Sequence, residues 1–242
     1  MQGKEAVLKR VQAAFEYESG INLQNHPIEM HFIDGLLVLA GEVPDIACKK
    51  KAIAMARSIS GGNGLLDQLR VAAGERTGDG AVRDSLCGQI LQHVDFQNCS
   101  VRVWVKEQVE TLRDVAGADP SGALLISVED GIVTLSGQVI SLSHKRLAGV
   151  LAWWSRGCRD VVNELAVVPH EDDSDYELID AMRLVLETDP FVHADQIGVS
   201  CENSIVTLQG VVSSEAESTR AEQDAWYLHA VDGVINRLEV RK

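Results

Sequence analysis

The chain is poor in aromatic residues, at 5%, and holds only five prolines and five cysteines. The cysteines, Cys48, Cys87, Cys99, Cys158 and Cys201, are odd in number and widely spaced, with no CxxC among them. That pattern argues against a disulfide framework or a zinc site and for small buried thiols in a reducing compartment. No stretch approaches the roughly 20 apolar residues of a spanning helix. The opening MQGKEAVLKRVQAAFEYESG follows a helical period and lacks the unbroken apolar segment of a secretory signal. A soluble, cytoplasmic protein is the resulting expectation.

Catalytic signatures are missing as well. GxGxxG, a Walker loop, GxSxG and HExxH do not occur, and His26, His31, His93, His144, His170, His193 and His229 share no spacing with cysteines or paired carboxylates. No enzyme, cofactor or metal is expected from such a chain, because a catalytic site needs a polar constellation. Basic charge is scarce too: 22 Lys and Arg stand against 36 Asp and Glu, a formal charge of −14. A field of that sign repels polyanions, so nucleic acid is not an expected partner, and anionic membrane surfaces are disfavoured less firmly.

What the chain does have is 45% hydrophobic and 24% charged residues over 242 positions, enough for two or three compact units. It also repeats itself. Aligned on a glycine, Leu39-Ala40-Gly41, Leu135-Ser136-Gly137 and Leu208-Gln209-Gly210 are each preceded at one fixed distance by Asp34-Gly35, Asp130-Gly131 and Asn203-Ser204. These are dipeptides suited to a tight hairpin, where positive φ is cheapest for Gly and tolerable for Asn or Asp. At a constant distance downstream, without a gap, DQLRV, NELAV and NRLEV close on Val71, Val167 and Val240.

Between glycine and valine lies a helical stretch in each copy, Asp45–Ser58, Ser141–Trp154 and Ser213–Tyr227. Each carries alanines one turn apart at matching places: Ala52 and Ala56, Ala148 and Ala152, Ala221 and Ala225. Such a pair lies on one helical face and lets the helix approach a sheet closely. Another helical period precedes each hairpin, as in Val7, Val11, Ala14 and Phe15, or Leu178, Met182, Val185 and Leu186, and a first strand follows at Ile28–Phe32, Leu124–Val128 and Ile197–Cys201.

The expected class is therefore α+β: tandem small αββαβ units, each a three-stranded mixed sheet with two helices on one face. The hairpin makes the first two strands antiparallel and the crossover makes the second and third parallel. The units run over 1–73, 79–169 and 174–242.

Residues of the form VxxDGxVTLSGxV, an Ala-rich helix, a small residue and VxxVxNxLxV resemble the BON domain, a module first noted in bacterial osmotic-stress and nodulation proteins. Val128–Val167 is closest, with Gly157 and Val161-Val162-Asn163 in place. Val199–Val240 keeps Thr207, Gly210, Gly233, Val234 and Asn236, with Asn203-Ser204 at the turn. The first copy departs most: Gly61-Gly62-Asn63-Gly64 precedes its last strand, and Asp67 replaces the asparagine. The resemblance implies association with phospholipid or envelope components, often in stress adaptation. With the acidic charge it points to a non-enzymatic binding or scaffolding protein that contacts protein in preference to lipid. The rival is a cation- or small-ligand-responsive sensor of osmotic state.

Two polar stretches, Ala72–Gly80 and Pro169–Asp175, read as joints; the acids of the second suit a solvated linker and Ser174 or Asp175 a helix cap. Residues 100–121 are extra in the middle unit, and VRVWV alternates as a strand with Val101, Val103 and Val105 on one face, so an added hairpin is expected. The structural motif consists of Gly41, Gly131, Gly137, Asn163, Gly210 and Asn236. Candidate contact residues are Trp104, Trp153, Trp154, Trp226 and Tyr227, with packing between units the favoured role for the helix-end aromatics. Lys49-Lys50-Lys51 reads as a solvated helix face.

Overall fold

The computed structural model describes residues 2–61, 64–74, 77–115 and 121–241. Gly62-Asn63, part of the first joint (75–76) and the end of the expected insertion (116–120) lie outside the described residues. The chain divides into two compact units, Met1–Ala72 and Ala73–Lys242.

The first unit runs α1 (Gln2–Tyr17), β1 (Glu29–Ile33), β2 (Leu36–Val43), α2 (Ile46–Ser60) and β3 (Leu65–Val71). β1 pairs antiparallel with β2, and β2 pairs parallel with β3. Asp34 and Gly35 both take positive φ, 49° and 87°, which sets the two-residue hairpin that matches strand twist. Asp45 caps α2 by accepting the Cys48 N–H at 2.7 Å, and Gly61 ends it in the left-handed conformation. Val11 and Phe15 from α1, Ala52 and Ala56 from α2 and Leu37, Leu39 and Leu69 from the sheet form its core, all fully buried.

The second unit begins with α3 (Asp79–Gln92), β4 (Cys99–Val105), β5 (Gln108–Arg113), β6 (Gly122–Glu129), β7 (Ile132–Val139), α4 (Leu142–Trp154), β8 (Asp160–Asn163) and β9 (Ala166–Val167). It continues through α5 (Asp175–Thr188), β10 (Ile197–Glu202), β11 (Ile205–Val212), α6 (Glu215–Tyr227) and β12 (Gly233–Val240). β10, β11 and β12 repeat the three-stranded pattern. The middle repeat instead has a six-stranded sheet, order β5-β4-β6-β7-β8 with β9 also on β7, where three strands were expected. The inserted hairpin adds two strands, β4 lying parallel to β6 over Cys99–Val103, and the closing strand is split in two. Its turn residues Lys106 and Glu107 take φ 45° and 66°, so the same hairpin turn occurs a fourth time without glycine.

One continuous core serves both of these repeats. α4 packs against α5 and α6, so the helix layers of the two repeats meet each other and each sheet keeps a helix-free face. This explains why every residue from Arg146 to Ala152 is buried: α4 is covered by its own sheet on one side and by the third repeat on the other. Ala148, Ala152, Ala221 and Ala225 are fully buried, as close approach of helix to sheet requires.

Candidate functional site: the inter-repeat seam and the helix-free sheet faces

The shared glycines are steric requirements. At Gly137, with φ 112°, an added Cβ would lie 2.1 Å from the Ala123 carbonyl oxygen; at Gly210, with φ 142°, it would lie 2.0 Å from that of Gln196. Gly41 meets the Pro27 carbonyl in the same way. Each glycine lets the second strand bend over the start of the first. Gly131, φ 74°, completes the middle hairpin turn.

The turns in the second unit are held by a device that pattern reading missed. Asp79, at the start of α3, accepts the backbone N–H groups of Asp130 and Gly131 at 3.0 and 2.8 Å. Asp175, at the start of α5, does the same for Asn203 and Ser204 at 2.8 and 2.9 Å. A turn with two positive-φ residues presents adjacent N–H groups, and a carboxylate fills that nest. These bonds, led by that from Ser204, hold the Asp175 carboxyl below its ordinary range. The matching Asp offsets are hidden in sequence by the insertion between α3 and β6.

Asn163 and Asn236 tie the last strand to the helix before it. Asn163 donates to the Lys145 carbonyl at 2.7 Å, and Asn236 donates to Ser218 Oγ at 3.0 Å and Glu222 Oε2 at 3.0 Å. In the first unit the carboxylate of Asp67 cannot donate. Lys49, at the helix position matching Lys145 and Ser218, supplies the proton instead, 3.1 Å from Asp67 Oδ2 and 2.8 Å from the Leu69 carbonyl. Lys49 is therefore 4% exposed. The expectation of a solvated lysine cluster is corrected at this residue, because the Asn-to-Asp exchange demands a buried cation.

Of the helix-end aromatics, Trp153, Trp154 and Tyr227 lie at the seam between the second and third repeats. Trp153 stacks on Tyr227 with centroids 5.6 Å apart and planes at 11°, and Trp226 is buried. Trp154 donates its indole N–H to Asp224 Oδ1 at 2.8 Å. Asp224 and Asp189 are two fully buried carboxylates that share Arg220: its Nε donates to Asp189 Oδ2 and lies 3.8 Å from Asp224 Oδ1. The guanidinium carbon sits 5.1 Å over the Trp154 ring. Burial, above all, pushes Asp224 up to about 8, with Asp189 adding to the rise against Arg220. Asp224 Oδ2 has no hydrogen-bond partner among the described residues. Arg146, 2% exposed, crosses the same seam, with Nη2 on both oxygens of Asp173 at 2.6 and 2.7 Å and Nε on the His229 carbonyl.

In the acidic joint Glu171, Asp173 and Ser174 serve structure, while Asp172 is fully exposed. Glu171 accepts the Leu142 N–H at 2.7 Å, Asp173 holds Arg146, and Ser174 caps α5. Among the described residues there is no group of three or more His, Cys, Asp or Glu able to hold a metal ion. Nor is any described helix long and apolar enough to cross a membrane.

The helix-free faces carry a second recurring feature. Leu36 and Leu66, Ile132 and Val162, Ile205 and Ile235 occupy matching places on β2 and β3, β7 and β8, β11 and β12. Five of the six are large aliphatics exposed by 38 to 41%, and Ile132 is half-buried. On the middle face Trp104 adds a ring that is 47% exposed, beside a groove of about 950 Å³ between the β4–β5 and β6–β7 hairpins.

Comparison with protein families matches the BON domain at residues 4–73, 102–169 and 174–242. The chain belongs to the BON domain family. BON modules are non-catalytic and scaffold-type, in keeping with shared positions given over to glycine geometry, strand-to-helix ties and core. No curated protein matches the chain. Among solved structures it is similar to the C-terminal domain of CdsD, a structural protein of the type III secretion system of Chlamydia trachomatis, at 14% identity. That alignment covers 98% of each chain with a TM-score of 0.26. A second structure of CdsD from the same organism aligns at 14% identity over 98% of this chain and 92% of its own, with a TM-score of 0.25. The third BON match coincides with α5 to β12. The second begins inside β4 and so includes the inserted hairpin but not α3.

Proposed function

We propose that this protein is a binding scaffold that engages protein partners through the helix-free faces of its BON sheets. The carrying observation is the aliphatic pair repeated at matched positions on all three faces, with five of the six exposed where a sheet-forming role alone would tolerate polar residues. The partner's chemistry follows from charge. A protein of net charge −14, with Glu107, Glu129 and Asp130 lining the middle groove against Arg83 and Lys106, complements a basic-rimmed apolar surface and is repelled by an anionic bilayer. Phospholipid and envelope binding are known for BON domains, and they support an envelope-associated setting in bacterial stress adaptation as the wider proposal. A cytoplasmic location belongs to the same proposal, supported by five cysteines that form no disulfide.

Photo-crosslinking residues at Leu66, Val162 and Ile235 test it in cells. Protein adducts are expected that vanish when the neighbouring aliphatic on the same face, Leu36, Ile132 or Ile205, becomes Glu, with none formed from Arg183 on α5. Salt-sensitive co-sedimentation with anionic phospholipid vesicles, abolished by the same substitutions, would put lipid in place of protein.

A further inference from the structure

A pocket of about 550 Å³ opens at the seam, lined from the second repeat by Gln89, His93 and Trp154 and from the third by Thr188, Phe191 and Arg220, among others. In so acidic a protein its lining is unusual: among the described residues Arg220 is the one fully charged side chain there, and no carboxylate reaches it. Asp189 and Asp224 lie behind the guanidinium, both fully buried.

Arg220 is fixed from two sides. Asp189 holds its Nε and its Cζ lies over the Trp154 ring, while neither Nη makes a hydrogen bond with a described residue. A guanidinium held over a ring and pinned at Nε is a rigid fork for two oxygens of one anion, with little left to order on binding. Burial, above all, lowers the His93 pKa against the pull of the Asp95 carboxylate 3.5 Å from Nδ1; with Nδ1 accepting the Asp95 N–H at 3.2 Å, Nε2 faces Thr188 Oγ1 as donor at 3.2 Å. The rest of the wall is apolar, ending in Phe191, whose side chain is 73% exposed at the rim and has no core role.

We propose that this pocket is a binding site for a small organic carboxylate, its two oxygens on the free edge of Arg220 and its apolar body against Trp154 and Phe191. A few fixed polar groups within an apolar wall are the usual make-up of a small-ligand site. The site requires both repeats and stands apart from the sheet faces, so either assignment can fail without the other.

Benzoate is the probe, titrated into the full chain and followed by amide and indole chemical shifts. The expected result is saturable shifts of the Trp154 indole and of backbone signals near Arg220. Benzyl alcohol, the neutral counterpart, should give none, and inorganic phosphate should bind more weakly for want of an apolar body. Phe191→Ala, at an exposed position, should weaken benzoate binding on the order of 10-fold. Gln92→Glu, which puts a carboxylate at the rim, should weaken it by a similar factor. Arg220→Gln should abolish it, but that change also strands Asp189, so the two rim variants are decisive if it unfolds. Unsaturated shifts, equal shifts with benzyl alcohol, or undiminished affinity in both rim variants would overturn the assignment.

Discussion

The ammonium of Lys49 and the carboxylate of Asp67, 3.1 Å apart, accomplish together what one asparagine side chain does in each of the other repeats. Asn163 and Asn236 both donate to the helix and accept from the residue two places on: Leu165 and Leu238. Asp67 keeps the accepting half, taking the Leu69 N–H at 2.9 Å, and Lys49 restores the donating half. Lys49→Ala should therefore destabilise the first unit by about 2 kcal/mol, since it leaves buried acceptors unmatched. Lys49→Ala with Asp67→Asn should recover most of that loss. Urea unfolding of the three variants reads it out.

Asp224 makes stability fall as pH rises. Its carboxyl sits at about 8 in the folded protein against an ordinary 3.8, so the stabilisation is full below the lower value and is lost on the way to the higher one. Asp224→Asn removes the titration and keeps an oxygen to receive the Trp154 N–H. The variant should gain on the parent between pH 4 and 8, by up to about 1.4 kcal/mol per pH unit. Melting curves of both proteins at pH 5, 6.5 and 8 test this, and parallel curves would refute it.

Glu217 acts with the opposite sign. Burial raises its pKa, but the hydrogen bonds from Ser213 and His193 outweigh that and bring it down to about 2. One oxygen takes the Ser213 N–H and the other the His193 N–H, each at 2.8 Å, which ties the start of α6 to the loop before β10. The carboxylate's contribution is present above pH 4.5 and disappears as pH falls toward 2. Glu217→Gln should cost roughly 2 kcal/mol at pH 7 and much less at pH 2.5, measured by denaturant unfolding.

Two glycine substitutions should separate geometry from mere smallness. Gly137→Ala forces a Cβ against the Ala123 carbonyl at a φ unfit for alanine, and a loss of roughly 3 kcal/mol is expected. Gly88→Ala, inside α3 with nothing within 4 Å of the new carbon, should stabilise by up to about 1 kcal/mol. Thermal unfolding of the pair is the check.

Much of the repeat was legible in the chain itself. Gly137 with Val167, and the turn pairs Asp130-Gly131 and Asn203-Ser204, mark strands and hairpins because backbone φ and side-chain alternation are local properties. The VRVWV segment was legible as a strand for the same reason, with Val101 and Val103 now buried and Trp104 on the far face. Illegible were Asp79 with Gly131, Trp154 with Asp224, and Arg146 with Asp173. Their partners are 52, 70 and 27 positions apart, and no periodicity records such distances.

Local rules of turn, period and steric clearance were thus enough to declare a unit of helix, hairpin, helix and strand used three times over. They said nothing of how units combine. That the second and third would merge their helix layers into one core, bury Asp224 and Asp189 around a single arginine, and leave aliphatic side chains bare on the outer sheets was decided in three dimensions. Desolvation, and with it the state of a proton or the exposure of a leucine, depends on which distant surfaces come to cover a residue.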